Sequence, residues 1–348
     1  MKVLYLTPWY PSERDAMAGL FVQKHVEAVQ AQGVDVRVIH SEGWADLHRQ
    51  WRQLKREWGL PDVVQLNVVQ KQGLLAHRLK RKYGIPYIIV EHWSGYLPEN
   101  GQYMQMSVAK HRLYARIVRD ASMLLCVSNR LADAMRTCGL QNARTSKINN
   151  VVDDFFYQKP AVESPKSKVE SVKTLLHVSC FDERAKNVKG LLRAAKLLSA
   201  KRSDWRLVLV GTGIDYQAVR AYADSLNLPE ELLHWTGELT PQQVSDEMDK
   251  ADMFVLPSNY ENAPVVLSES LAKGLPIIAT RVGGIPEMVN AENGLLVAPG
   301  DDTELAQAME QMLDHYQEYD REAIRKAGKQ YSYATVGAEL KQIYETVR

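Results

Sequence analysis

The chain has 348 residues, of which 45% are hydrophobic and 24% charged, so it is long enough for two domains and has the composition of a folded globular protein. Its 43 Lys and Arg residues nearly balance 42 Asp and Glu residues, which leaves no overall charge for binding nucleic acid. Three cysteines without metal-ligand spacing indicate a cytoplasmic protein. No apolar run approaches the roughly 20 residues of a membrane span, so any contact with a membrane would be at its surface.

The first half of the chain alternates short β-branched runs with longer amphipathic segments. Alternation of this kind is typical of parallel βαβ units. The predicted strands are, in chain order, KVLYL, VDVRVIH, DVVQLNVV, PYIIVEH, MLLCVS and a last one near SKINNVV.

A linker is predicted at residues 158–173, which are rich in Pro, Ser and Lys and have no apolar periodicity. The βα pattern then resumes with the predicted strands TLLHVS, WRLVLVG, LLHWTG, MFVLP, PIIAT and GLLVAP. The sequence therefore predicts an α/β fold with two doubly wound domains, 1–165 and 170–331, that face each other. Ligands of such sheets bind at the carboxyl ends of the strands, so we expect the site in the cleft between the domains.

Two carboxylates with seven residues between them mark the stretch PSNYENAPVVLSESLAKGLPIIATRVGGIPE, residues 257–287. A strand is predicted to end just before it, with Asn262 as a helix cap and Pro264 in the first helical turn. Glu261 then lies in the loop before the helix and Glu269 about a turn and a half inside it. The helix start favours an anion. This order of groups suits the sugar, diphosphate and ribose of a nucleotide sugar, but a solvated loop acid and a surface helix acid would look the same.

The rest of this stretch, with KGLPIIATRVGGIPEMV and NGLLVAPGD, resembles the family-4 glycosyltransferases of the GT-B fold, also described as glycosyl transferases group 1. That family carries two glutamates separated by seven residues. The resemblance covers most of the chain, densely over 174–300 and thinly over 40–120. It implies two facing Rossmann-like domains, the first for the acceptor and the second for the donor, with the C-terminal helix, 332–348, crossing back to the first.

The activity that the resemblance implies is retaining transfer of a sugar from a UDP- or GDP-sugar to a glycan or lipid-linked acceptor, in bacterial surface polysaccharide biosynthesis. It implies no cofactor and no essential metal. Two other functions remain open: a nucleotide-sugar epimerase of the same fold, and a catalytically silent subunit that binds sugar nucleotides.

Several donor-site residues follow from the resemblance. The segment AKNVKGLLRA places Lys186, rather than Lys189, at the position that binds the donor diphosphate. The family's arginine is replaced by Cys180, and Arg184 is the candidate to stand in for it. Glu261 would orient the donor sugar hydroxyls and Glu269 would hold the ribose. The helix start that would meet the diphosphate consists of Asn262, Ala263, Pro264, Val265 and Val266.

The remaining assignments are spread over both halves. WTGELTPQQV resembles the segment beside the nucleotide base, which predicts a pocket formed by Thr236, Gly237 and Leu239. In the first half, AMAGLFVQKH resembles the family's glycine loop, in which Gly19 would let the backbone approach phosphates or acceptor. PYIIVEHWSGY places His92 at the end of a strand, where the family has a histidine near the reaction centre. A lone glycine and a lone histidine are also common as structural residues.

Residues 44–58, WADLHRQWRQLKREW, place three tryptophans seven residues apart among basic side chains. Residues 77–84, HRLKRKYG, add more positive charge. One interpretation is an amphipathic helix packed on the protein's own core with solvated charges. The other is a surface that contacts the anionic inner face of the cell membrane.

Overall fold

The protein is described here by a computed structural model that covers residues 1–13, 15, 17–41, 43–158 and 172–348. It divides into two compact units, the first formed by Met1–Val151 with Gln330–Arg348 and the second by Val152–Lys329. Most of the predicted linker at 158–173 lies outside the described residues, and so do the domain boundaries expected at 165 and 170. In the described part, no helix is both long and apolar enough to cross a bilayer.

The first unit contains a parallel sheet with the strand order β2-β1-β3-β4-β5-β6. Its strands are β1 (Lys2–Thr7), β2 (Asp35–His40), β3 (Val63–Asn67), β4 (Tyr87–Glu91), β5 (Met123–Cys126) and β6 (Thr145–Lys147). Its helices begin with α1 (Leu20–Ala31), α2 (Trp44–Trp58), α3 (Gln72–Tyr83), α4 (Val108–Asp120) and α5 (Asn129–Thr137).

The second unit repeats this plan with the strand order β12-β11-β10-β7-β8-β9. Its strands are β7 (Lys173–Val178), β8 (Trp205–Val210), β9 (Leu233–Gly237), β10 (Met253–Leu256), β11 (Ile277–Thr280) and β12 (Gly294–Val297). Its helices are α6 (Glu183–Lys186), α7 (Val188–Ser199), α8 (Tyr216–Ser225), α9 (Pro241–Lys250), α10 (Val265–Ala272), α11 (Asp302–His315) and α12 (Arg321–Gly328). The last helix of the chain, α13 (Tyr333–Val347), belongs to the first unit.

Each predicted strand has a counterpart, and the strands β3, β4, β10 and β11 are buried on both faces of their parallel sheets, as continuous apolar runs predict. Several strands are one or two residues shorter than predicted, and two differ more. The run DVVQLNVV leaves the sheet after Asn67, since Val68 adopts a positive φ of 64° that a strand cannot contain. The strand near SKINNVV is reduced to β6 at the edge of the sheet.

The strand orders place a topological switch point in each sheet. In the first sheet the chain moves from β1 outward to β2 and then returns to β3 on the other side of β1. In the second sheet it moves from β7 through β8 to β9 and returns to β10 on the other side of β7. The loops that follow β7 and β10 therefore diverge from neighbouring strand ends and leave a crevice, which is where ligands of doubly wound sheets bind.

Helix α13 joins the first unit through close packing and a buried polar network. A side chain at Gly337 would meet the carbonyl oxygen of Ala28 on α1 at 2.3 Å, so glycine permits the close approach of the two helices. Farther along, the Tyr344 hydroxyl donates to Oε1 of Gln65 at 2.6 Å and lies 2.7 Å from the Tyr5 hydroxyl. All three of these polar side chains are fully buried.

The network predicts a stability effect of Tyr344→Phe. Removal of the hydroxyl leaves Gln65 and Tyr5 with unmatched polar atoms in the core, which costs about 1–3 kcal/mol for a buried group that loses its partner. We expect a loss of this size in the free energy of unfolding, measured by urea denaturation.

The matched control is Tyr333→Phe on the same helix. The Tyr333 hydroxyl donates to Glu27 at 2.8 Å, but this bond is exposed to solvent, so its loss should change stability much less. Equal losses for the two variants would show that the buried network is not what holds α13.

Candidate functional site

An ion pair lies at the carboxyl edge of the second sheet. Lys186 is the last residue of α6, which follows β7, and its ammonium donates to Oε1 of Glu261 in the loop after β10. The Ser258 hydroxyl donates to the same oxygen at 2.9 Å. The two charged side chains are 18% and 11% exposed. The pair is therefore largely buried, and it lies at the switch point between β7 and β10.

Backbone contacts hold the two loops together. Asp182 caps the short helix α6 by accepting from the Ala185 N–H, and Asn187 ends it with a left-handed φ of 50°. The N–H of Asn259, in the loop after β10, donates to the Ala185 carbonyl at 2.8 Å. The segment that carries Lys186 and the loop that carries Glu261 are thus joined by a backbone hydrogen bond at Ala185, the residue before the lysine.

The ion pair also determines the charge state of the lysine. Burial of the Lys186 ammonium opposes its charge, but the attraction of the Glu261 carboxylate and their hydrogen bond outweigh burial and raise the pKa of Lys186. The site therefore presents a fixed positive charge at neutral pH. A phosphate oxygen could accept from the same ammonium.

Helix α10 begins beside this pair, but not as predicted. The sequence predicted Asn262 as the cap and Pro264 in the first turn; instead, Pro264 occupies the cap position and the helix begins at Val265. Residues 262–264 form the turn that leads from Glu261 into the helix. Proline has no side-chain acceptor, so the amides of Val265 and Val266 are left to an external acceptor or water.

Glu269 lies on this same helix. It is four residues after Val265, which places the two on one face of α10, and its side chain is half-buried. The structure therefore places the helix start and both glutamates on one loop and helix, and Lys186 reaches Glu261 from the neighbouring α6.

Gly283 is a positioning residue that the sequence analysis missed. It has a φ of 52°, and a side chain there would lie 1.6 Å from the carbonyl oxygen of Glu261. The backbone after β11 thus presses directly against the loop that carries Glu261. The glycine pair in RVGGIPE was the available signal, because paired glycines often mark a close backbone approach.

The predicted base-pocket residues also lie at this edge of the second sheet. Thr236 and Gly237 end β9, and Leu239 follows them in a half-exposed loop. The N–H of Gly211, after β8, donates to the Gly237 carbonyl at 2.8 Å. The loops after β8 and β9 are therefore joined, two strands away from Lys186 in the sheet.

His177 is a second residue that the sequence analysis missed, because it stands inside the apolar run TLLHVS. It is fully buried, with Nδ1 at 2.9 Å from the Val255 carbonyl and Nε2 at 2.8 Å from the Ser179 hydroxyl. Burial lowers the pKa of His177 to about 4, with the nearby Lys186 charge adding to the effect. A neutral ring must donate from Nδ1 to the carbonyl and so accept from Ser179, which fastens the start of the α6 loop to β10.

Three other residues that the sequence analysis considered for the donor site have different surroundings from the pair. Arg184 is exposed, and its guanidinium lies 6.0 Å from the Tyr260 ring. Cys180 is exposed as well. Lys189 lies on α7 with its ammonium 5.6 Å from the Tyr222 ring of α8. The two lysines compared in the sequence analysis thus face different neighbours, and Lys186 is the one paired with Glu261.

In the first unit, a buried carboxylate organises the end of β4. Oε2 of Glu91 accepts from the Val69 N–H, and Oε1 accepts from the N–H groups of His92 and Trp93, each at 2.9 Å. Burial raises the pKa of Glu91 to about 7, although these hydrogen bonds oppose the shift. This side chain, which the sequence analysis left without a role, thereby fixes the backbone that presents His92.

His92 lies among aromatic rings. Its ring centre is 4.4 Å from that of Phe21 and 5.6 Å from that of His25, both on α1. Burial, together with His25, holds the pKa of His92 well below its ordinary value, so the ring is neutral at neutral pH. A neutral imidazole can donate one hydrogen bond and accept another.

Gly19 caps the start of α1 with a left-handed φ of 68°. A side chain there would lie 2.3 Å from the carbonyl carbon of Trp9, so the close approach that requires glycine is to the chain's own backbone. A contact of this loop with phosphates or acceptor stays a prediction. In the described residues, no group of three or more His, Cys, Asp or Glu side chains is arranged to hold a metal ion.

Comparison with known families matches both units. Residues 2–154 match the family described as Glycosyltransferase Family 4, and residues 159–331 match the family described as Glycosyl transferases group 1. The chain is 23% identical over 357 aligned positions to the putative teichuronic acid biosynthesis glycosyltransferase TuaC of Bacillus subtilis, an alignment that covers 89% of this chain and 88% of that protein.

Two further similarities concern sequence and fold. The lipopolysaccharide 1,6-galactosyltransferase of Escherichia coli is 28% identical over 195 positions, which cover 55% of this chain and 52% of that enzyme. The crystal structure of Anabaena HepE in complex with UDP-glucose superposes with a TM-score of 0.76 at 18% identity and covers 99% of this chain and 100% of that one. The predicted GT-B fold class is confirmed.

The buried carboxylate of Glu91 predicts a pH-dependent stability. Because the folded-state pKa of about 7 lies above the ordinary 4.5, the folded protein binds more protons than the unfolded chain between these values. Stability should therefore fall as pH rises through this window, by about 3 kcal/mol for this group. Glu91→Gln cannot ionise, so urea denaturation should show the advantage of wild type over the variant shrinking between pH 5 and pH 8. A difference that stays the same at both pH values would contradict the assignment.

Proposed function

Since the chain belongs to the GT-B glycosyltransferases, we propose that it transfers a sugar from a nucleotide sugar to a glycan or lipid-linked acceptor with retention of anomeric configuration. The observation that carries this proposal is the ion pair between Lys186 and Glu261 beside the start of α10, at the switch point of the second sheet. Two neighbouring elements supply the groups that a nucleotide sugar needs: α6 supplies a cation for the diphosphate, and the loop and helix from Glu261 to Glu269 supply amides for the diphosphate and carboxylates for hydroxyls.

In this proposal the leaving diphosphate is stabilised electrostatically. The bond from the anomeric carbon to the diphosphate breaks, and negative charge develops on the phosphate oxygens. The ammonium of Lys186 and the amides of Val265 and Val266 face this charge and lower the energy of the transition state. Arg184 is the candidate for additional neutralisation, in place of the family arginine that Cys180 replaces.

The two glutamates are assigned different parts of the donor. Glu261 orients the sugar hydroxyls and exchanges its contact with Lys186 for them as the lysine turns to the phosphate. Glu269, four residues after the helix start, accepts from the ribose hydroxyls. Thr236, Gly237 and Leu239 are assigned to the base.

The acceptor hydroxyl attacks the anomeric carbon on the face that the diphosphate leaves, and its proton passes to the departing phosphate. We name no protein general base. His92 is assigned a contact with the donor sugar, for which its neutral ring offers a hydrogen bond. The proposed reaction needs no metal ion, since the positive charge comes from Lys186 and the helix.

Relatives support the choice of substrates. HepE was crystallised with UDP-glucose, which supports a nucleotide-sugar donor, and TuaC is described as a putative teichuronic acid biosynthesis glycosyltransferase. We propose that this chain acts likewise in the assembly of a bacterial surface polysaccharide, in the cytoplasm at the inner face of the membrane.

The direct test is to incubate the protein with a panel of UDP- and GDP-sugars and to follow nucleoside diphosphate release with and without lipid-linked acceptors. Release that depends on an acceptor, with an axial or equatorial linkage that matches the donor, supports retaining transfer. An isomerised sugar would point to an epimerase instead, and donor binding without turnover to a silent subunit.

The two lysines provide one prediction for this assay. Lys186→Ala removes the cation that faces the diphosphate, so kcat should fall by about 100-fold or more, the usual cost of losing one donor to a developing charge. Lys189→Ala is the matched control, because its ammonium lies over the Tyr222 ring rather than beside Glu261, and it should retain nearly full activity. The reverse result would overturn the assignment of Lys186.

The two glutamates provide another prediction for the activity assay. Glu269→Ala removes a charged hydrogen bond to the ribose, worth roughly 1.5–3 kcal/mol, and should mainly raise the Kd for the donor. Glu261→Ala should mainly lower kcat, by about 100-fold, if its contacts strengthen in the transition state. Isothermal titration with the donor and steady-state kinetics separate the effects, and small equal changes in both variants would refute this division of roles.

A further inference from the structure

A groove of about 540 Å³ lies between α2 and α3 in the first unit. Its walls combine an apolar part with a basic part, and none of the lining residues carries a carboxylate. The lining residues are Trp44, His48, Leu74, Leu75, His77, Arg78, Arg81 and Lys82. The volume lies within the range of small-molecule sites, and the composition suits a ligand that is anionic at one end and apolar at the other.

The basic wall is formed by one face of α3. Arg78, Arg81 and Lys82 are spaced three and four residues apart, so their side chains are neighbours, and all three are exposed. Neither arginine has an ion pair with any residue in the described part of the chain. Like charges at this spacing repel each other, and a bound anion would relieve that repulsion.

Neighbouring basic residues are already engaged. On α2, Arg49 is paired with Asp46, and the Lys55 ammonium donates to the Tyr83 hydroxyl at 3.0 Å. On α3, the Lys80 ammonium donates to the Asp120 carbonyl at 2.7 Å. The Lys82 ammonium lies 5.1 Å from the Tyr83 ring. Arg78 and Arg81 differ from all of these, because their guanidinium groups have no ion pair and no hydrogen bond among the described residues.

The apolar wall contains an exposed indole. Trp44 is 43% exposed, whereas Trp51 of the same helix is buried and Trp58 donates from its indole nitrogen to Asp35 at 2.6 Å. The sequence analysis left two interpretations for these tryptophans, and the structure assigns a different surrounding to each residue. Trp51 packs on the core, while Trp44 faces the groove. A tryptophan beside arginines is favoured where an apolar layer meets phosphate headgroups.

We propose that this groove binds the phosphate headgroup of an anionic membrane lipid, with Arg78, Arg81 and Lys82 around the phosphate and Trp44 at the start of the acyl chains. The occupant is a lipid in a bilayer rather than a free phosphate, because the apolar wall continues the basic one. This inference goes beyond the proposed sugar transfer and does not depend on it, since lipid binding is measured without donor or acceptor.

The test is sedimentation of the full chain with vesicles of phosphatidylcholine alone or mixed with phosphatidylglycerol, at low and high salt. The wild-type protein should be retained by the anionic vesicles at low salt and released as salt increases. At about a kilocalorie per mole for each basic side chain near the surface, Arg78→Gln/Arg81→Gln should weaken this binding about 30-fold.

The matched control is Lys110→Gln/Arg112→Gln, which removes the same charge from exposed positions on α4. Circular dichroism should show that both variants are folded, since all four side chains are exposed. If the groove is the binding site, the α3 variant should lose clearly more affinity for anionic vesicles than the α4 variant. Equal losses would show that only the net charge of the protein matters, which would overturn the proposal.

Trp44→Ala supplies a measurement that does not depend on charge. Its loss of vesicle binding should persist at the highest salt at which wild type still binds, because an apolar contact is not screened, whereas the arginine effect should fade. Failure of anionic vesicles to retain the wild-type protein at low salt would overturn the inference. The inference would also be overturned if inorganic phosphate, at constant ionic strength, released the protein from the vesicles while Trp44→Ala had no effect on vesicle binding. That pattern would indicate a site for a free anion.

Discussion

The attraction between Lys186 and Glu261 is the interaction on which the second unit's site depends. It joins two loops that leave neighbouring strands in different directions, and it keeps the lysine charged despite burial. Around it, uncharged contacts supply rigidity: the Asn259 N–H fastens the loops, neutral His177 ties β10 to Ser179, and Gly283 lets the next loop press on Glu261. A site organised in this way holds the loops that carry these charges in place before any ligand arrives.

Buried polar groups perform a similar task in the first unit without forming an ion pair. Glu91 accepts three backbone N–H groups and so fixes the turn that carries His92, while burial raises the pKa of its carboxyl. The network of Tyr344 likewise holds α13 in this unit through neutral groups. Each network is sensitive to the loss of one member, because a buried polar atom without its partner is costly.

The groove between α2 and α3 differs from these buried networks, because its arginine and lysine side chains are exposed. Its arginines are exposed and have no counter-charge among the described residues, and its tryptophan is the one on α2 that the core leaves most exposed. A surface of this kind is suited to a partner that brings its own negative charge.

The sequence by itself determined the α/β class, the strand order along the chain and the family, because continuous apolar runs and the pattern from Glu261 to Gly300 are local in the chain. Roles assigned to Lys186, Glu269 and His92 remain predictions. Only the tertiary structure decided which groups meet: that Lys186 rather than Lys189 faces Glu261, that His177 and Glu91 are buried anchors, and that Pro264 rather than Asn262 caps α10. These outcomes depend on which strands become neighbours and how deeply a side chain is buried, and spacing along a chain carries neither.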